Sequence, residues 1–265
     1  MLLAFDLDKT IITDDYRLPK TIQEAIKKAR LAGHVVAVLT GRGQAAALPY
    51  LDQLKLMGPY SVNNGALVIG PQGETLKRIR IPAIDVRVLI KLAQTSEIEF
   101  CCMSDDILFV GDPDYDAWVW AHTENRQVVA LEPGASIEAD KIIFEGIGAS
   151  DRLGKEIAMR YPEFVVYEWS EGYLEVTGPH AEKGCALELI SRHLGFDRSD
   201  VVAFGDGVND LSMLAWASHA VAVGPDAGTK LLGLVDERIA APEDNGVANW
   251  LEVNLFNKTV ARCDG

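Results

Sequence analysis

The sequence predicts an α/β protein: a doubly wound, mostly parallel core sheet into which a separate α+β unit is inserted. Three observations carry that expectation. At both ends of the chain, short apolar runs alternate with helix-period segments, the pattern of βα units in a sheet buried on both faces. In the middle, apolar runs are joined by tight turns, which require antiparallel pairing. Polar residues of distinctive chemistry gather where the outer apolar runs stop, and open α/β sheets bind ligands there. A chain of 265 residues is long enough to build both parts.

The first strand is expected over 2–7 and ends in Asp6-Leu7-Asp8-Lys9-Thr10. Residues 21–32 carry helical periodicity and stop at Gly33, a suitable residue just past a helix end. Strands over 34–40 and 60–62 follow, with a helix between them, and 65–70 with 75–81 flank the turn Pro71-Gln72-Gly73-Glu74. The middle of the chain reads as a helix over 84–94, a hairpin of 98–103 and 107–110 around Ser104-Asp105-Asp106, and a helix over 115–122. A strand over 141–145, a helix over 151–161 and a second hairpin of 164–169 and 173–177 around Ser170-Glu171-Gly172 complete it. Alternation then resumes: helix 183–194 stopping at Gly195, strand 201–204, helix 210–217, strand 220–223, helix 228–235, strand 238–241 and helix 246–256. The core is therefore expected from residues 1–81 and 181–265, and the inserted unit from 82–180.

Composition narrows the function. A hydrophobic content of 48% and a net charge of -14 fit a globular protein and argue against nucleic acid, whose phosphates need a basic surface. A phosphorylated substrate would require a local cation and a few placed Lys or Arg. No apolar run reaches the ~20 residues that span a bilayer, and the N-terminus lacks a signal-peptide pattern. A cytoplasmic protein with no membrane partner is expected. The four cysteines, Cys101, Cys102, Cys185 and Cys263, and the five scattered histidines show no metal-ligand spacing.

Asp6 and Asp8 can divide labour, one attacking an electrophile and the other moving a proton, if a cation tempers their repulsion. Gly205-Asp206-Gly207-Val208-Asn209-Asp210 follows a strand and opens a helix; a helical start would set Asp206 and Asp210 on one side of the first turn as hard oxygen ligands suited to Mg2+. Thr40-Gly41-Arg42 offers a hydroxyl and an amide to a phosphate oxygen at another strand end. Lys183 sits at a helix start, where the dipole disfavours it, which suggests a task such as neutralising a phosphate. Taken singly, each also reads as an ordinary cap, a turn or a solvated lysine, as does Asn63-Asn64-Gly65. Together they fall on one edge of one sheet.

On these motifs, in this order, the sequence resembles the haloacid dehalogenase superfamily of phosphohydrolases. Asp6-Leu7-Asp8-Lys9-Thr10, Thr40-Gly41-Arg42, Lys183-Gly184 and Gly205–Asp210 are similar to its four motifs, and the insertion resembles the C2-type cap of the Cof-like subfamily IIB. Asn63-Asn64-Gly65-Ala66 and 243–248 also match that subfamily's pattern. Lys9, where the family usually has Gly, and Gly224-Pro225-Asp226 depart from it.

The resemblance implies a Rossmann-like core and an Mg2+-dependent phosphatase for a small phosphorylated metabolite, a sugar phosphate by preference because the cap is acidic. It implies Asp6 as nucleophile forming an aspartyl-phosphate, and Asp8 as the acid and base. Mg2+ would be held by Asp6, the Asp8 carbonyl and Asp206, with Asp210 in support, and phosphate by Thr40, Gly41, Lys183 and Asn209. A phosphomutase, or a non-catalytic phospho-sugar-binding regulator, are the alternative readings; a monomer or homodimer fits each. In the cap, Trp118, Trp120, Trp169 and Tyr173 are expected to be buried core.

Overall fold

A computed structural model describes residues 1–257 apart from 124, 125, 171, 226–230 and 232. Half of the helix expected over 228–235 falls outside the described residues, as do Glu171, Asp226 and Cys263, and its described positions, 231 and 233–235, form turns and irregular chain rather than helix. The chain forms two sheets, of eight and six strands.

The first sheet begins with β1 (Leu2–Phe5), α1 (Lys20–Leu31), β2 (Val35–Leu39), α2 (Gln44–Leu54), β3 (Tyr60–Val62), β4 (Leu67–Ile69) and β5 (Thr75–Arg78). The chain then runs through α3 (Ala83–Thr95), β6 (Glu99–Ser104), β7 (Ile107–Val110), α4 (Val119–Thr123), β8 (Gln127–Ala130), β9 (Lys141–Glu145), α5 (Lys155–Arg160), β10 (Val165–Ser170) and β11 (Tyr173–Thr177). It returns with α6 (Lys183–Leu194), β12 (Val201–Gly205), α7 (Leu211–Trp216), β13 (His219–Val223), β14 (Glu237–Ile239) and α8 (Gly246–Leu251).

Strand order in the first sheet is β14-β13-β12-β1-β2-β3-β4-β5, parallel from β14 to β3 and antiparallel beyond. β1 lies between β12 and β2, so the chain winds outward in opposite directions from it. That is a topological switch point, where a crevice opens at the strand ends. Both faces are apolar. Leu3, Phe5, Val36 and Val38 pack on α1, α2 and α8, while Leu2, Ala4, Ala37 and Leu39 pack on α6 and α7. Successive strand residues point to opposite faces, which is why these strands are continuous apolar runs. In α1, Ile22, Ile26 and Ala29 make the single buried stripe. Gly195, at φ 73, ends α6 with a conformation that side chains resist.

The second sheet has order β10-β11-β9-β6-β7-β8. Pairing is antiparallel except for β7 with β8. Strand β8 was not anticipated. Its short Gln-Val-Val-Ala run is half-exposed and follows no tight turn, so the sequence offers no hairpin signal for it. One face of this sheet is filled by Phe100, Cys102, Ile142, Phe144, Leu174 and Val176 against α3 and its neighbours. The other face is only partly covered, by Trp118 and Ala121 around α4.

Candidate active site

Asp6 directly follows β1. Its amide donates to the Phe204 carbonyl oxygen of β12, 3.0 Å away, so the pairing of the two strands continues into the acidic segment. The chain then folds back at once: the amides of Thr10, Ile11 and Ile12 all point to the Leu7 carbonyl oxygen, at 3.3, 3.0 and 2.9 Å. Lys9 takes φ 54 in this turn. A left-handed residue here explains why glycine suits the position, and a lysine holds it against a cost of about 1–2 kcal/mol. The Lys9 ammonium points outward to Asp14, 3.6 Å away.

Asp206 and Asp210 meet differently from the expected helical spacing. Asp206 lies just past β12, before the helical turns, and the Asp210 carboxylate accepts the amides of Asp206 and Gly207, each at 3.0 Å. The pair is joined by capping of the turn, because Gly207 is extended at φ -109. Thr10 donates its hydroxyl to Asp206 at 3.2 Å.

Lys183 is fully buried and places its Nζ 2.6 Å from both Asp6 and Asp210. Its position at the N-terminus of α6 is thereby accounted for: the carboxylates outweigh the helix dipole. The approach depends on Gly184, where a Cβ would stand 2.5 Å from the Ser212 carbonyl oxygen. Burial works against the charged form of Lys183, but Asp210 and Asp6 outweigh it and hold its pKa above the ordinary value. Burial, then Asp210, push the Asp6 carboxyl well above the usual range despite Lys183. Burial and Asp210 also push Asp206 up to about 7.

Oxygens of Asp6, Asp206 and Asp210 lie within 4.8 Å of one another. Three carboxylates against one buried lysine leave excess negative charge. A hard divalent cation fits that donor set and that charge.

The Asp8 carboxylate stands apart from this group. Arg42 grips it with two donors, Nε at 2.8 Å and Nη2 at 2.5 Å. The guanidinium itself lies between Tyr16 and Tyr50, 5.3 and 5.0 Å from their ring centres. Thr40 is buried, and its Oγ1 accepts the Arg42 amide at 3.1 Å. Asn209 donates from Nδ2 to Asn64 Oδ1 at 2.9 Å, and the Gly41 carbonyl accepts Lys141 Nζ at 2.9 Å. Asp6, Asp8, Gly41, Asp206 and Asn209 all face one cavity of about 830 Å3; Thr40 and Lys183 lie behind it.

Lys9, Tyr16, Arg42, Gly43, Tyr50 and Gly207 continue the wall on the same side; the second sheet adds Met103, Lys141, Ile143, Trp169, Tyr173 and Glu175, and α4 with the segment after it adds Trp120 and Arg126. The expectation that all four aromatics are core is corrected. Trp118 is fully buried, whereas Trp120, Trp169 and Tyr173 line the cavity. Trp118 and Trp120 are two residues apart and so take different faces. Sequence reasoning also missed Lys141 and Glu175. Their signal was a charge inside an otherwise apolar strand, Lys141-Ile-Ile-Phe-Glu and Tyr173-Leu-Glu-Val-Thr. The acidic turn likewise has partners: Asp106 accepts the Ala45 amide at 3.1 Å, and Asp105 pairs with Arg78 and Arg80.

Residues 3–251 match the family model of haloacid dehalogenase-like hydrolases. The chain is 28% identical over 262 residues to the HMP-PP phosphatase of Serratia proteamaculans, covering 95% of this chain and 94% of the relative. It is 26% identical over 264 residues to the 5-amino-6-(5-phospho-D-ribitylamino)uracil phosphatase YitU of Bacillus subtilis, covering 95% and 96%. A solved haloacid dehalogenase-like hydrolase from Bacteroides thetaiotaomicron superposes with a TM-score of 0.82 at 21% identity, covering 95% of this chain and 98% of that one. The subclass IIB sugar phosphatase BT4131 also gives 0.82, at 23% identity and 95% and 98% coverage. These two show the shared fold.

Proposed function

The chain belongs to the haloacid dehalogenase-like hydrolase family, and from that premise we propose that it is an Mg2+-dependent phosphatase that hydrolyses a small phosphorylated metabolite through an aspartyl-phosphate on Asp6. The observation that carries this reading is Asp6 itself. It is a buried carboxylate at the end of the central strand, 2.6 Å from Lys183, and it opens onto the cavity beside Asp206.

An Asp6 carboxylate oxygen attacks phosphorus, and the bond to the ester oxygen breaks. Asp8 gives its proton to the departing alcohol. It then takes a proton from the water that attacks the aspartyl-phosphate, so that Asp6 is regenerated and phosphate leaves. Arg42 orients the Asp8 carboxylate for both proton transfers. Gly41 and Asn209 meet the phosphate oxygens at the cavity wall, and Thr40 and Lys183, just behind it, complete the subsite and offset the charge. Asp6, the Asp8 carbonyl and Asp206, supported by Asp210, would hold Mg2+, which supplies charge neutralisation at the phosphoryl group.

Residues 82–180 act as a cap in this reading and select the leaving group. Trp120, Trp169 and Tyr173 give the cavity flat apolar walls that suit a sugar or a heterocycle. The named curated relatives, both phosphatases, support the reaction class. A sugar phosphate is the narrower proposal.

A panel of sugar phosphates, nucleotides, flavin mononucleotide and pyridoxal phosphate tests it. Phosphate release is expected with Mg2+ and not with EDTA. Release that continues in EDTA, or an Asp6→Asn protein of full activity, overturns the mechanism.

A further inference from the structure

The second sheet reaches the phosphate-binding residues through a buried charge pair. Strand β11 pairs with β9 so that Thr177 faces Lys141 and Glu175 faces Ile143. Lys141 and Glu175 are therefore diagonal neighbours on one face of the sheet. Their side chains are only 7% and 5% exposed, and Lys141 Nζ lies 2.8 Å from Glu175 Oε2. Charges buried to this degree are costly unless every polar atom is satisfied.

Each member makes a second bond, and both cross to the first sheet. Lys141 Nζ donates to the Gly41 carbonyl at 2.9 Å, and Glu175 Oε1 accepts Asn64 Nδ2 at 2.6 Å. Asn64 in turn accepts Asn209 Nδ2 at 2.9 Å, and its own amide donates to the Thr40 carbonyl at 3.0 Å. A chain of bonds thus runs Gly41–Lys141–Glu175–Asn64–Asn209. Its two ends are residues assigned above to the phosphate.

Both ends of the Asn64 amide are committed, so its orientation is fixed by Glu175. That orientation dictates that Asn209 presents its nitrogen to Asn64. An ion pair serving stability alone could be replaced by apolar side chains. This one instead bonds the Gly41 carbonyl directly and Asn209 through Asn64. We propose that Glu175, together with Lys141, is a positioning residue for the phosphate subsite, so that the subsite is complete only with the second sheet seated over the cavity. This rests on the phosphatase reading.

The test compares wild type, Glu175→Gln, Asn64→Ala and the double variant. They are assayed on p-nitrophenyl phosphate and on two metabolite esters, with inorganic phosphate as inhibitor and as thermal-shift ligand. Misplacing a binding group by about 1 Å costs about 100-fold. Glu175→Gln is expected to lower kcat/KM by about that factor on every ester with the ratios between esters unchanged. It should raise the inhibition constant of phosphate in parallel and remove the thermal shift that phosphate gives the wild type. The double variant should lose no more than the worse single one. A loss confined to one ester would make Glu175 a reader of the leaving group. A fall in kcat with unchanged phosphate inhibition would make it structural only. Either result overturns the proposal, as does activity within twofold of wild type. If the wild type releases no phosphate from any ester, the phosphatase reading fails; the thermal shift still decides whether Glu175 governs phosphate binding.

Discussion

The two sheets meet the same cavity with opposite designs. The central strands of the eight-stranded sheet are apolar on both faces, so they bring nothing polar to the ligand except at their ends. Asp6, Thr40 and Asp206 stand one residue past β1, β2 and β12. The six-stranded sheet is apolar on one face and turns the other toward the cavity, presenting Lys141, Tyr173 and Glu175 from within its strands. Strand ends are fixed by a ladder on either side and suit chemistry that tolerates little displacement. A sheet face offers many alternating positions and suits recognition. On the proposed reading, the first sheet's strand ends carry the reaction and the second sheet's aromatics carry selection, while Lys141 and Glu175 tie the second sheet to the phosphate subsite.

The sharpest way to break that division is Asp6→Asn. Loss of a covalent nucleophile is expected to lower turnover by about 10⁴-fold or more on every ester, read by phosphate release. A change that differs from one ester to another would mean that the first sheet also selects.

Lys183→Met tests the same sheet through stability. Removing one partner of a buried pair costs about 3–5 kcal/mol, so the urea midpoint should fall well below that of wild type. A midpoint close to wild type would show that Asp6 and Asp210 do not depend on Lys183.

The crowded acids also predict a pH signature. Asp206 has a pKa of about 7 in the folded chain and the ordinary low value when unfolded. The folded state therefore holds the extra proton between those values, and stability falls as pH rises through that window. With EDTA, the melting temperature of wild type should drop more from pH 5 to pH 8 than that of Asp206→Asn. Mg2+ should raise it more at pH 8 than at pH 5. Equal slopes for the two proteins would contradict the assignment.

Smaller effects belong to the second sheet. Trp169→Ala should change the preference between a ring-bearing ester and a small acyclic one by about 1 kcal/mol, roughly fivefold in relative kcat/KM. An equal loss on both esters would take Trp169 out of selection.

Much of the acid-bearing edge was legible in the sequence because it is local. Asp6-Leu7-Asp8 and Gly205–Asp210 each join a strand end to the next turn, and strand ends can be read from apolar runs. The cavity wall was less legible. Trp120 and Trp118 are alike in sequence, and only packing makes one core and the other wall. Strand β8 escaped because its partner, β7, runs parallel to it with α4 between them, so no turn announces the pair.

By itself, the sequence determined the alternation of strands and helices and the acids that end the strands. Periodicity and turn chemistry act over a few residues, and these features need nothing more. Tertiary structure decided the partners: Arg42 on Asp8, Lys183 between Asp6 and Asp210, and Glu175 on Asn64, 111 residues away. Such contacts depend on which strand lies beside which and on how one sheet sits over the other. No local pattern encodes that, because the stabilisation of a buried charge comes from groups that the fold alone brings within reach.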